Sequence, residues 1–201
     1  MESEFIITSK RRDANKNAVK ILEAAKKVFA LKGLDTTIEE IAVEANVGVG
    51  TVYRRFNNKN QLANAVANEV LAETYEEQVD ILKSNLSTVE KVKKIFACYA
   101  KISQKYGNIH PMIVDLLVSK ENDEEFKQTF LLGLKNLHTE IIINGQKENI
   151  FREVDPRLLE IFLQNMINPQ MTKQIAEILP LDEAASFLAD LALNGLLKKN
   201  N

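Results

Sequence analysis

The amino-acid sequence predicts an all-α protein of about nine or ten helices, in which a small N-terminal three-helix domain precedes a larger helical domain. Three observations predict this fold class. Apolar residues recur at helical spacing along most of the 201 residues. No segment alternates apolar and polar residues as a half-buried strand does. Only 7 glycines and 4 prolines interrupt the chain, which suits long helices joined by short turns.

The first helix is predicted over about residues 16–31, because apolar side chains recur there every three or four residues. Gly33 follows as the expected left-handed stop, and residues 1–15 are expected to form a basic arm. Thr37 and Glu40 have the spacing of a capping box, in which each side chain satisfies a backbone N–H of the other residue. A short second helix should therefore begin directly after Thr37.

A third, short helix is predicted over residues 49–56, after a turn at residues 46–48. Two short helices joined by such a turn form a helix-turn-helix. Val52 and Phe56 lie one turn apart and are expected to face inward. The outward face then carries small, hydroxylated, aromatic and cationic residues, namely Gly50, Thr51, Tyr53 and Arg54.

Charge is distributed unevenly between the two halves of this arrangement. The formal net charge is -2, but residues 1–60 carry 11 Lys and Arg against 8 Asp and Glu, a balance of +3. The remainder carries 15 against 20, a balance of -5. Binding of a polyanion needs a local cationic face rather than a basic protein. Ordinary solvated surfaces give similar asymmetries, so charge supports the motif but does not decide its function.

Two helix N-termini flank the third helix and are candidate phosphate sites. One is the capping box at Thr37. The other begins at Lys59, where Asn58 and Gln61 have the spacing of a second helix cap. A cation such as Lys59 in the first helical turn is disfavoured by about 0.3 to 1 kcal/mol unless something compensates it. Phosphate contacts position a DNA-binding helix, whereas base contacts give sequence specificity. The arrangement predicts that residues 16–60 bind the major groove, with Thr51 and Arg54 suited to base edges.

The helical periodicity continues through residues 61–201, with short polar or proline-containing breaks. Gly145 is interpreted as one of these breaks. Further helices are expected over about residues 59–82, 88–106, 111–119, 123–143, 156–167, 171–179 and 182–197.

Several classes of protein are excluded or disfavoured. Cys98 is the only cysteine, so the chain has no intrachain disulfide and no thiolate metal cluster. No apolar run reaches about 18 residues, and we expect a cytoplasmic protein without membrane contact. His110 and His138 are the only histidines, they lack metal-ligand spacing, and no nucleophile or phosphate-loop motif occurs. We therefore expect neither a metal nor an enzyme.

The segment from Thr36 to Leu62 resembles the signature of the TetR/AcrR family of transcriptional regulators. It contains the core Gly-Thr-x-Tyr-x-x-Phe-x-x-Lys-x-x-Leu, and the resemblance covers about residues 16–66. Asn46 stands where the family usually has Gly, which Asn tolerates because it also adopts left-handed conformations. Gly48 replaces a frequent Ser cap at a cost of a few tenths of a kcal/mol.

The resemblance implies specific contacts with double-stranded DNA. Residues matching the family's phosphate contacts are Thr37, Tyr53, Arg55 and Lys59, and those facing bases are Val49, Gly50, Thr51 and Arg54. It further implies that residues 61–201 form a ligand-binding and dimerisation domain, and that a homodimer binds a palindromic operator. The expected function is a repressor that a small apolar effector releases from DNA, with no cofactor.

Two sets of residues in the larger domain are candidates for these implied roles. Ordinary core packing is the alternative for both sets. The aromatic, methionine and leucine residues that could line an apolar pocket are Phe96, Tyr99, Met112, Leu116, Phe126, Phe130, Phe162 and Met166. The small-residue face proposed for the dimer consists of Ala185, Leu188, Ala189 and Ala192.

Two other functions remain open at this stage. One is a helical protein-interaction adaptor that has lost DNA binding, and the other is a small-molecule enzyme on a helical scaffold. DNA retardation that depends on Tyr53 and Lys59 would distinguish the regulator from both.

Overall fold

Eight α-helices make up most of the chain that the structure describes. This computed structural model describes residues 2–109, 112–113, 124–166, 174–175 and 177–198, with side chains for residues 16–102, 104–109, 112–113, 131–166, 174–175 and 177–198. The helices are α1 (Glu2–Lys32), α2 (Ile38–Glu44), α3 (Val49–Phe56), α4 (Lys59–Lys83), α5 (Thr88–Tyr106), α6 (Glu124–Lys147), α7 (Pro156–Met166) and α8 (Leu181–Leu196). These residues contain no β-strand, which confirms the all-α prediction. The expected helices at 111–119 and 171–179 lie largely outside the described residues.

The first helix is longer than predicted. It begins at Glu2, so the predicted start near Lys16 was wrong. No glycine or proline occurs between Glu2 and Lys32, and nothing in the local sequence stops a helix from extending toward the N-terminus. The end was predicted correctly, because Gly33 adopts φ 59° and a 3₁₀ turn, Gly33–Asp35, follows.

Gly145 was wrongly interpreted as a break, because α6 continues through it to Lys147. A Cβ atom at Gly145 would lie 2.3 Å from Cδ2 of Phe151, which is fully buried. The backbone N–H groups of Ile150 and Phe151 both donate to the Gly145 carbonyl. Glycine is therefore required here for close approach of the returning chain. The chain reverses instead at Asn149, which has φ 60°.

The chain divides into two compact units, and the division falls within α4. The first unit contains Met1–Glu69 and Tyr106–Leu116, and the second contains Val70–Lys105 and Leu117–Asn201. The expected boundary after residue 60 is earlier than this division. In the first unit most buried side chains come from α1 to α4, for example Ile21, Phe29, Ile41 and Val52, and Ile109, Met112 and Ile113 are also buried.

The core of the second unit is built from α5 to α8. Val92, Ile95 and Phe96 of α5 are buried with Ile141 and Ile142 of α6. The same core contains buried residues of α7 and α8, namely Leu159, Leu163, Leu188, Ala189, Ala192, Leu193 and Leu196. None of the helices in the described residues has both the length and the apolar character needed to cross a bilayer.

Cys98 lies in α5, and its side chain is buried. Burial raises the pKa of the thiol to about 12, and the nearby carboxylate of Glu77 adds to this shift. Because the thiolate is the reactive form, we expect native protein at pH 8 to resist a thiol-specific disulfide reagent. Protein denatured in guanidinium should react fully on the same timescale. Rapid, complete reaction of the native protein would contradict this assignment.

Candidate nucleic-acid interface

The N-terminus of α2 has the capping box that the sequence predicts. The Glu40 N–H donates to Thr37 Oγ1 over 3.2 Å, and the Thr37 N–H donates to Glu40 Oε2 over 3.0 Å. Hydrogen bonds from the Lys32 ammonium and the Thr37 backbone lower the pKa of Glu40. A hydroxyl has one donor and two acceptor positions. The exposed Thr37 hydroxyl therefore accepts the capping bond and can still donate to a phosphate.

The turn between α2 and α3 accommodates Asn46 and Gly48, the two residues at which this sequence differs from the usual family pattern. Asn46 has φ 53°, the left-handed conformation that glycine would otherwise adopt. Gly48 is the N-cap of α3, with φ -70° and ψ 143°, and has no side chain to cap the helix. Its carbonyl accepts from the Thr51 N–H over 2.8 Å. The predicted helix-turn-helix is therefore formed without the more common turn and cap residues.

The two faces of α3 differ sharply in burial. Val52 is fully buried, whereas Gly50, Arg54 and Arg55 are exposed and Tyr53 is 45% exposed. A Cβ atom at Gly50 would meet no other atom within 4 Å. Val49 and Thr51, at the start of the helix, are partly buried.

The two guanidinium groups on this helix are available for a ligand. Within the described part of the chain, neither Arg54 nor Arg55 forms an ion pair. Each therefore presents an unneutralised cation to solvent. Arg54 lies on the outward face together with Gly50 and Tyr53, as the sequence predicts.

The start of α4 is fixed by two side chains. Asn58 Oδ1 accepts from the Gln61 N–H over 2.9 Å, as the predicted cap requires. Lys59 Nζ donates to the Leu34 carbonyl over 2.6 Å. The sequence suggested phosphate as the compensating group for Lys59, but a backbone carbonyl already provides part of this compensation. An ammonium has three N–H donors, so donors remain for a phosphate. Because Leu34 precedes Thr37 by one turn, the bond holds the ammonium near the start of α2.

The candidate pocket residues do not form one cluster. Phe96 is buried in the core of the second unit, with Tyr99 and Met166 packed against that core. Met112 is buried but belongs to the first unit, and Phe162 is 38% exposed. Leu116 and the side chains of Phe126 and Phe130 lie outside the described residues.

A groove of about 650 Å³ does lie between α5 and α8, within the second unit. Its lining includes Ala97, Ala100, Ala185 and Ala189, and its rim carries charged and polar side chains. None of the pocket residues predicted from the sequence lines this groove.

The residues predicted for the dimer are buried within the single chain. Ala185, Leu188, Ala189 and Ala192 are each at most 6% exposed, and they pack in the interior of their own chain. The intrachain alternative therefore applies to these four side chains. Sequence periodicity identified the apolar face of the helix but could not determine which neighbour covers it.

A buried polar pair in the second unit was not predicted from the sequence. His138 Nε2 lies 3.2 Å from Gln78 Oε1, and the two side chains are 2% and 1% exposed. Burial lowers the pKa of His138 to about 4. The two residues are 60 positions apart, so no local signal connects them.

The buried histidine should make stability fall in acid. At pH 7 the imidazole is neutral in both the folded and unfolded chains, and its contribution is fully present. As the pH falls through 6.5 the unfolded chain binds a proton that the folded chain accepts only near pH 4. Between pH 7 and 4.5 the free energy of unfolding should decrease by roughly 2 to 3 kcal/mol because of this residue.

Urea denaturation of wild type and His138→Phe at both pH values tests this expectation. The variant should lose roughly 2 to 3 kcal/mol less stability than wild type between the two conditions. Equal losses would show that His138 is not held neutral by the fold.

Comparison with known proteins agrees with this geometry. The model of the family described as bacterial regulatory proteins, tetR family, matches residues 21–66. The uncharacterized HTH-type transcriptional regulator YhgD of Bacillus subtilis is 29% identical over 149 residues, which are 69% of this chain and 73% of that protein. The fatty acid metabolism regulator protein of the same organism is 23% identical over 188 residues, which are 90% of this chain and 96% of that protein.

The fold is shared with solved regulators over most of the chain. The transcriptional regulator FadR from Bacillus subtilis in complex with stearoyl-CoA matches with a TM-score of 0.70 at 22% identity, over 88% of this chain and 98% of that chain. The matched family segment contains α2, the turn and α3, which carry the exposed outward face. Residues 21–66 therefore match the tetR family of bacterial regulatory proteins, and most of the chain shares the fold of solved transcriptional regulators.

Proposed function

We propose that this protein is a homodimeric repressor that binds a palindromic operator and is released by a small molecule. The outward face of α3 carries this proposal, because it combines exposed Gly50, Tyr53 and Arg54 with no described intramolecular partner for the guanidinium. An exposed helix with a cationic, hydrogen-bonding face is suited to the major groove.

The proposed contacts divide into positioning and specificity. Thr37, Tyr53, Arg55 and Lys59 would donate to phosphates, and the bond from Lys59 to Leu34 would limit the ammonium's freedom before DNA arrives. The residues proposed to face bases are Val49, Gly50, Thr51 and Arg54. A bidentate Arg contact with guanine contributes about 1 to 3 kcal/mol of discrimination.

The proposed dimer contact uses exposed apolar side chains on α7 and α8. Phe162 lies over Gly195, since a Cβ there would be 2.6 Å from its ring. Gly195 is one turn from Leu191, so the exposed faces of the two helices adjoin. We call the following set the α7/α8 apolar face: Leu158, Ile161, Phe162, Phe187 and Leu191. A second copy that presents the same face would bury it in a two-fold four-helix contact.

The proposed effector is a small, largely apolar molecule bound within the second unit. The relatives support an acyl compound, since one is a fatty acid metabolism regulator and another was solved with stearoyl-CoA. The dimer would hold its two recognition helices about 34 to 36 Å apart, one turn of DNA. An effector that binds preferentially to a conformation with a different spacing between the recognition helices would weaken operator binding.

Gel retardation tests the proposal with DNA fragments from the neighbourhood of the protein's own gene. Wild type should shift a specific fragment in excess competitor DNA, and the affinity should fall steeply as salt rises because several phosphates are neutralised. Stearoyl-CoA, used as the acyl probe, should release the fragment. A protein that shifts no fragment while capturing a protein partner would instead be an interaction adaptor.

A further inference from the structure

The excess of cations in the first 60 residues comes from a short part of α1. Residues 10–20 contain five Lys and Arg against one Asp, a balance of +4. Residues 21–60, which include the helix-turn-helix, contain six Lys and Arg against five Asp and Glu, a balance of +1. We call residues 10–20 the α1 cationic segment. Most of the basic charge expected to attract DNA therefore lies N-terminal to the helix-turn-helix.

The lysines of α1 differ in whether a carboxylate neutralises them. Lys26, Lys27 and Lys32 each form an ion pair with a glutamate of the first unit. Lys16 and Lys20 are exposed, and neither forms an ion pair with any residue whose side chain the structure describes. The paired lysines connect α1 to its neighbouring helices. Lys16 and Lys20, in contrast, are available to an anion from outside the chain.

The two unpaired lysines lie on the side of α1 along which α2 packs. This side is identified by Lys27 Nζ, which lies 3.1 Å from Oε1 of Glu44, the last residue of α2. An α-helix turns by about 100° and rises by about 1.5 Å per residue. Lys20 and Lys16 are therefore within about 20° of Lys27 around the helix axis, and roughly 10 and 16 Å further toward the N-terminus. They continue the same side of α1 past the end of α2.

This side of α1 leads to the start of the recognition helix. The turn at residues 45–48 follows Glu44 directly, and α3 begins at Val49. The predicted phosphate anchors Thr37 and Lys59 lie toward the other end of α1, since Lys59 Nζ donates to the Leu34 carbonyl. A major groove about 12 Å wide has a phosphate backbone along each side. The α1 cationic segment is thus placed to reach phosphates that these two anchors do not contact.

We propose that the α1 cationic segment, through Lys16 and Lys20, is a second DNA contact that binds backbone phosphates beside the half-site read by α3. This inference rests on the proposed regulator function, whose DNA-binding surface it extends. Phosphates match the segment because they are ionised at regular intervals along a duplex, and lysines that neutralise them release condensed counterions. Such contacts carry no sequence information, but they add affinity and hold the recognition helix in register.

The salt dependence of DNA binding tests this inference without knowledge of the operator. Phosphate contacts are independent of sequence, so a labelled duplex of arbitrary sequence and about 40 base pairs is a sufficient probe for fluorescence anisotropy. Lys16→Gln/Lys20→Gln in the full chain should reduce the slope of log K against log salt by about 2, because each lost phosphate contact removes about 0.9. Affinity near 0.1 M salt should fall by at least about tenfold. Glutamine has a helix propensity close to that of lysine, so the circular dichroism spectrum should not change.

Lys83→Gln/Lys147→Gln is the matched control, because it removes the same charge from two exposed positions of the second unit. The control should keep the wild-type slope. Equal slopes for wild type and Lys16→Gln/Lys20→Gln would overturn the inference. An equal reduction by the control would also overturn it, since net charge rather than position would then govern binding. Failure of the wild type to bind the duplex would have the same consequence.

The result can be separated from the test of sequence-specific regulation. If gel retardation finds a specific fragment but Lys16→Gln/Lys20→Gln keeps the wild-type salt slope, only the α1 contact is refuted. If no fragment is retarded specifically while this variant still loses about 2 in slope, the sequence-specific repressor is refuted and the phosphate contact by α1 stands.

Discussion

Arg54→Ala should lower the affinity for operator DNA by about 10- to 100-fold, which corresponds to the roughly 1 to 3 kcal/mol of a bidentate guanidinium–guanine contact. The side chain is exposed on α3 and contributes no described ion pair, so its loss should leave folding stability within about 0.5 kcal/mol of wild type. Fluorescence anisotropy with labelled operator measures the affinity, and urea denaturation measures the stability. The loss should be largest for the preferred sequence and small for unrelated DNA.

Two further variants serve as comparisons for Arg54→Ala. Arg55→Ala, on the predicted phosphate contact, should weaken binding to all sequences and reduce the salt slope by about 1. Lys147→Ala removes an exposed charge at the end of α6 and should leave DNA affinity unchanged. If Arg54→Ala and Lys147→Ala bind operator equally well, Arg54 does not read DNA.

Leu158→Glu combined with Leu191→Glu should convert the dimer to a folded monomer and lower operator affinity by at least about 100-fold. The two side chains are 62% and 45% exposed, so the substitutions do not disturb the core of one chain. Across a two-fold contact, however, the carboxylates would lose water and meet their copies, which strongly disfavours association. A monomer retains a single recognition helix and therefore loses the second half-site.

Size-exclusion chromatography with light scattering at micromolar protein measures this change. Leu132→Glu is the matched control, because Leu132 is 58% exposed on α6 and lies outside the α7/α8 apolar face. The control should remain dimeric. A monomeric wild type, or a double variant that still forms dimers, would contradict the proposed interface.

The elements that sequence predicted well are those whose signals are local. Thr37 and Glu40, or Asn58 and Gln61, are three positions apart and cap a helix through their own backbones. Asn46 and Gly33 reveal their left-handed conformations through residue type alone. These signals defined the helix-turn-helix and its outward face. The family resemblance then added the roles of its side chains.

Sequence prediction was less successful where contacts between residues far apart in the chain determine the structure. Glycine often ends a helix, but Gly145 lies within α6. A glycine occurs there because the ring of Phe151 leaves no room for a Cβ atom. The alanines of α8 have the spacing of an interface, yet their own chain covers them. Lys59 and Leu34 are 25 positions apart, and Gln78 and His138 are 60 apart. No periodicity within one helix can identify such partners.

Selection of bound duplexes from a random-sequence library tests the central claim most directly. The wild-type protein should enrich an inverted repeat whose half-sites are spaced by about one or more turns of 10 to 10.5 base pairs. The Tyr53→Ala/Arg54→Ala variant, which should fold normally, should enrich nothing above the starting library. Failure of the wild type to enrich any sequence, or enrichment of the same repeat by the variant, would show that the outward face of α3 does not recognise DNA.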